Sequence, residues 1–230
     1  VGIAGLSVFD VVLFFHEKSQ ELLEALQVAN YPLLLRLHQV ANFFAALGRR
    51  SLLRFPHSIQ GDDLRKVPVD GTVHELTSTT LRFVTALHDY HKVTGGLLHE
   101  SFQVAKELIL QPEELCEETV GNWLNDVVTD LVDNIVRKGK TYEDSTLTAV
   151  FLMNNFYYIR GYLLISPYAD LIRRRTPGIE ADFRQKVLEQ QQLYCEDTWG
   201  TLAELLRSST PPRMGSVNVP VTLAKKDREN

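Results

Sequence analysis

The chain has 230 residues, 44% of them hydrophobic and 23% charged, a balance that supports a buried core and excludes a disordered segment. Its 24 lysines and arginines stand against 29 aspartates and glutamates, and a formal charge of −5 provides no field for wrapping a nucleic acid. Two cysteines, Cys116 and Cys195, are too few for a disulfide scaffold or a thiolate metal site, and fit a reducing compartment. No uninterrupted apolar run reaches the length needed to span a bilayer. The sequence opens at Val1 with neither an initiator methionine nor a signal pattern, so the expectation is a fragment of a longer protein.

The periodicity is helical almost throughout. Over residues 8–27, Val12, Phe15, Leu22, Leu23 and Leu26 recur three and four apart between charged residues, which predicts an amphipathic helix. Asn30 and Pro32 break the chain, and a second helix follows, carrying Leu34, Leu37, Ala41, Phe44 and Ala45, with Gly48 as its stop. Residues 49–70, with Pro56, Gly61, Pro68 and Gly71 close behind, hold no period and read as a long loop. Thr72 and Glu75 then have capping-box spacing, opening a helix to about Leu98 in which Gly95-Gly96 invites a kink or a close helix contact. A weaker segment over 102–110 leads to Pro112.

Beyond Pro112, Glu113, Glu114, Glu117 and Glu118 face the positive end of a helix dipole, and Arg137 and Lys138 its negative end. Between them Cys116, Val120, Trp123, Val127, Leu131 and Ile135 keep a steady stripe. Asp144 or Ser145 caps the next helix, where Asn154, in register with Phe151 and Tyr158, predicts an inward amide that needs a partner. A short segment ends at Arg175. Thr176-Pro177 then reads as the start of a last long helix with Phe183, Val187, Tyr194, Trp199, Leu202 and Leu206 on its inner side. The expected layout is a helical hairpin over 1–48, a linker loop over 49–71, a central helical bundle over 72–208 and an irregular connector over 209–230. The fold class is all-α: an elongated rod of stacked helical bundles built from long antiparallel helices.

Chemistry is hard to find in this pattern. His88 and His91 lie three apart, but no third ligand matches them, and His74-Glu75 begins an HExxH motif that fails at Ser78. No serine sits in a nucleophile elbow, and the glutamates beside Cys116 and Cys195 disfavour a thiolate. The carboxylates at 113–118 lack the turn and spacing of a calcium loop and read as a solvated helix start. The reading is therefore not an enzyme, with no cofactor and no metal. Arg173, Arg174 and Arg175 are the strongest basic cluster, a candidate for weak contact with phospholipid head groups or an acidic partner.

Two stretches carry a resemblance. Asp70-Gly71-Thr72-Val73-His74-Glu75-Leu76-Thr77-Ser78 resembles a motif of the family of the exocyst's seventy-kilodalton subunit, exocyst complex component seven. So does Tyr142-Glu143-Asp144, followed by Leu147, Phe151-Leu152 and Asn154-Asn155. The resemblance spans most of residues 8–207. It implies a rod of stacked bundles acting without catalysis in an eight-protein complex that tethers secretory vesicles to the plasma membrane during exocytosis. It also implies the partners: other exocyst subunits, Rho-type small GTPases and phosphoinositide membrane. The implied location is cytoplasmic and peripheral at the plasma membrane, at sites of secretion. The family's amino-terminal coiled-coil part and its basic carboxy-terminal bundle have no counterpart here, so lipid contact is expected to be weak at most. The alternative reading is a generic helical adaptor or small-GTPase effector outside secretion.

Overall fold

The computed structural model describes residues 6–27, 31–99 and 113–209. The expected break at Asn30, the segment 102–110, the Pro112 start and the connector beyond Ser209 lie outside the described residues. The described residues form an all-α, elongated arrangement of stacked helical bundles, as the periodicity predicts. The longest helices have 30, 27 and 31 residues, or about 40–46 Å each at 1.5 Å per residue.

Helix α1 (Ser7–Gln27) packs on α2 (Tyr31–Gln60) as the expected hairpin, but α2 does not stop at Gly48. A Cβ at Gly48 would sit 3.1 Å from Leu97 Cδ1, so this glycine allows a close approach between helices. The helix also passes through Pro56. Proline removes the N–H that would bond to the carbonyl four residues back, and that carbonyl, of Leu52, is taken instead by the Trp123 indole N–H at 3.0 Å. At the end of α2, Asn134 Nδ2 donates to Ile59 O at 2.8 Å, and an Arg137 guanidinium N–H donates to Gln60 O at 2.7 Å. Residues 49–60 of the expected linker are therefore helix, held by partners far away in sequence. The loop is 61–74.

The expected single helix ending near Leu98 is three pieces: α3 (Glu75–Ala86), a 3₁₀ turn (Leu87–Tyr90) and α4 (His91–Leu98). The break lies at the 3₁₀ turn and not at the glycines. Gly95 marks a helix contact, since a Cβ there would fall 2.5 Å from Cys116 Cβ on α5 (Glu113–Gly139). Helix α6 (Ser145–Ile165) begins at Asp144, whose Oδ1 accepts from the Thr146 N–H at 2.8 Å. After the short α7 (Ala169–Arg175), α8 (Ile179–Ser209) returns along α6.

One core runs through these elements from Phe9 and Leu52 to Leu131, Phe151 and Phe183. The inner face predicted for α8 holds only over its first half: Phe183 is buried and Val187 packs on the core, while Trp199 is 56% and Leu206 62% exposed. The reason is that α8 packs principally against α6, which is ten residues shorter.

Candidate functional site

The two motif segments, some seventy residues apart in sequence, meet at one junction built by the 61–74 loop, the end of α5 and the first half of α6. Gly71 allows a close approach of the loop to α6. Its φ of +70° suits glycine, and a Cβ there would lie 3.1 Å from both Leu147 Cδ1 and Val150 Cγ1. The carbonyl of Gly71 accepts from Asn154 Nδ2 at 2.9 Å. Three residues on, the His74 N–H donates to Asn155 Oδ1 at 3.1 Å, and the Thr77 hydroxyl donates to the same oxygen at 2.7 Å. Asn155 Nδ2 closes back on Phe151 O at 2.8 Å. Both amides bind, but Asn155 is the fully buried one and Asn154 only half-buried, a correction to the expected register.

Thr72 does not cap α3. Its N–H and hydroxyl both donate to Asp70 Oδ1, at 3.2 and 2.8 Å, which holds the Asp70 carboxyl below its ordinary pKa. The cap is His74, extended at φ −68° and ψ 144°, whose Nδ1 accepts from the Leu76 N–H at 2.9 Å. Its Nε2 pairs with Lys66 O, which fixes the neutral tautomer with the proton on Nε2. His74 is buried with its ring edge-on to Phe151, and Phe151 in turn meets Tyr142 at 5.4 Å between centroids. The Tyr142 hydroxyl donates to Pro68 O, and burial followed by the Asp70 charge raises its pKa. Val73 and Leu76 are half-buried, whereas Glu75 and Glu143 face solvent.

Lys138 completes the junction; the sequence placed it at the negative end of the α5 dipole and did not single it out as a buried group. Its side chain is 0% exposed, its Nζ lies 2.8 Å from Asp62 Oδ2, and it also donates to the carbonyls of Asp63 and Lys66. The signal was there: residues 131, 135 and 138 share one helix face. The junction's polar groups are spent on holding one loop against two helices.

Arg173, Arg174 and Arg175 lie away from this junction, toward the start of α5. Arg173 pairs with Glu180 at 2.6 Å and Asp170 at 2.9 Å, Arg174 with Glu117 at 3.0 Å, and Arg175 with Glu118 at 3.7 Å. The basic cluster and part of the acidic start of α5, read as separate features of the sequence, therefore face each other. Beside them a cavity of about 360 Å³ opens between α4, α5 and α7, lined by His88, His91, Lys92, Glu117, Tyr168 and Arg174 among others. The His88 and His91 rings stack 5.6 Å apart, and burial raises the pKa of Tyr168. Cys116 is half-buried against Gly95, and Cys195 is exposed. Among the described residues no three His, Cys, Asp or Glu side chains converge as a metal site requires, and no helix is long and apolar enough to cross a membrane.

The family model for the carboxy-terminal region of the Exo70 exocyst complex subunit matches residues 5–230. The chain belongs to the Exo70 family. Human exocyst complex component 7 is 26% identical over 209 residues, which cover 90% of this chain and 28% of the human protein. Drosophila melanogaster exocyst complex component 7 is 26% identical over 180 residues, 73% of this chain and 26% of that protein. Arabidopsis thaliana exocyst complex component EXO70A3 is 31% identical over 111 residues, 48% of this chain and 17% of that protein. The chain thus spans about a quarter of the length of the human and fly members. Both motif segments and the junction they form lie inside the region matched to the Exo70 family model.

Proposed function

We propose that this chain is a non-enzymatic scaffold segment of an exocyst subunit, serving the tethering and docking of secretory vesicles at the plasma membrane. The Exo70 family match over residues 5–230 carries the reading. A scaffold also suits the chemistry of the junction, whose buried hydrogen bonds and Lys138–Asp62 ion pair fix geometry instead of reacting. In this role the motif residues set the angle between the α2 and α6 ends of the molecule, and the exposed helix faces meet other exocyst subunits. A Rho-type GTPase is a further partner of the parent protein, which works in the cytoplasm and peripherally at sites of secretion.

Phosphoinositide contact through Arg173, Arg174 and Arg175 is weak in this reading. Each of the three already faces a carboxylate, and an anionic head group has to displace it. Flotation with phosphoinositide liposomes at physiological salt should therefore recover little protein. Strong flotation that the Arg173/Arg174/Arg175→Glu variant abolishes would make the cluster a membrane site. The function itself is tested by co-purification from cell extract. Recovery of the other exocyst subunits supports it, and recovery of a small GTPase without them would favour an adaptor outside secretion.

A further inference from the structure

We propose that Thr176 is a phosphorylation site, and that its modification switches the contact between the α7–α8 turn and α5. The acceptor stands in Arg173-Arg174-Arg175-Thr176-Pro177, and no other serine or threonine of the chain has arginine at both the third and the second position before it. The arginines suit an acidic substrate cleft, and the proline fixes an extended, turn-like backbone at the acceptor.

The structure places this motif where a kinase can reach it. Pro177 and Gly178 are exposed, and Gly178 has φ +90°, outside any helix. Ahead of them α7 has only seven residues, well below the length at which a helix supports itself, so opening the motif costs one short element. Ser166-Pro167 offers a comparable dipeptide, but Ser166 is buried and its Oγ accepts from the Tyr168 N–H.

The Thr176 hydroxyl is half-buried and donates to Asn125 Oδ1 on α5 at 3.0 Å. In the transfer Oγ1 attacks the γ-phosphorus of ATP, the bond to the β,γ-bridging oxygen breaks, ADP leaves, and the hydroxyl proton passes to the kinase's catalytic carboxylate. The product oxygen has no hydrogen left to donate, so the bond to Asn125 Oδ1 is lost. A charge near −2 now stands beside Arg173 and Arg175 and competes with Glu180, Asp170 and Glu118 for them. The Arg175–Glu118 pair, at 3.7 Å the longest of the set, exchanges first.

The test uses the full 230-residue chain with ATP and, in separate reactions, a purified proline-directed kinase and a purified arginine-directed kinase, with sites mapped by mass spectrometry. The expected result is phosphate on Thr176 in at least one reaction, about tenfold faster than on any other residue. It should persist in Thr176→Ser and vanish in Thr176→Val; should Thr176→Val fail to fold, wild type and Thr176→Ser decide alone. The phosphorylated chain should then show faster amide exchange over residues 172–179 than the unmodified chain. Phosphate confined to other residues in both reactions overturns the site, and unchanged exchange across 172–179 overturns the switch.

Discussion

His74 and Thr72 lie two residues apart, and only one of them supports the start of α3. Thr72 is exposed and bonds to Asp70 alone, so Thr72→Ala should shift stability by no more than about 0.5 kcal/mol. His74→Ala removes the acceptor for the Leu76 N–H and should cost about 1–2 kcal/mol through the cap alone. Urea unfolding of both variants measures the contrast, and equal costs would return the cap to Thr72. Asn155→Ala strands the His74 N–H and the Thr77 hydroxyl inside the protein, for an expected loss of about 2–4 kcal/mol; an unchanged midpoint would mean that water replaces the amide. At this scale the sequence was partly legible. Periodicity pointed to an inward amide, but a 3.6-residue period cannot decide between neighbours at the edge of a stripe, and burial went to Asn155. Lys138 was missed because a charge near a helix end suggests solvent, whereas its register with Leu131 and Ile135 points inward.

Element boundaries were readable where the signal is local and lost where it is tertiary. Asp144 caps α6 through its own carboxylate, and a capping residue at that position predicts it directly. Pro56 reads as a helix breaker, and only Trp123, far along the chain, makes it tolerable by taking the freed carbonyl. The glycine pair shows a similar division. Gly95→Ala would press on Cys116 and should destabilise by about 1–3 kcal/mol as α4 and α5 are forced apart. Gly96→Ala meets nothing within 4 Å and should be neutral or stabilising; thermal unfolding of the pair checks this.

The contact between α1 and the 3₁₀ turn has a pH signature. The hydrogen bond from Tyr90 to Asp10, with burial second, pushes the tyrosine pKa from 10.0 up to about 12. Because the folded state holds this proton more tightly, the contribution is full below the unfolded pKa near 10 and is lost as pH rises through about 12. Tyr90→Phe should therefore be less stable than wild type at neutral pH and show a shallower loss between those values. Parallel pH profiles for the two proteins would contradict the contact.

Over the whole molecule, all-α character and elongation followed from helices far longer than the average of about 11 residues, each with an apolar stripe. The convergence of the two motifs did not follow, because it depends on which helix ends meet, and periodicity carries no such information. The exposed second half of α8 was unreadable for the same reason: an apolar stripe marks a surface able to pack, and only the fold decides whether a neighbour in this chain reaches it. The central claim, an elongated helical scaffold, is tested most directly by small-angle X-ray scattering of the chain in solution. A compact globule of this length has a radius of gyration of about 17 Å, and stacked helices of these lengths should give more than about 20 Å with a long tail in the distance distribution. A radius near 17 Å with a symmetric distribution would contradict the rod.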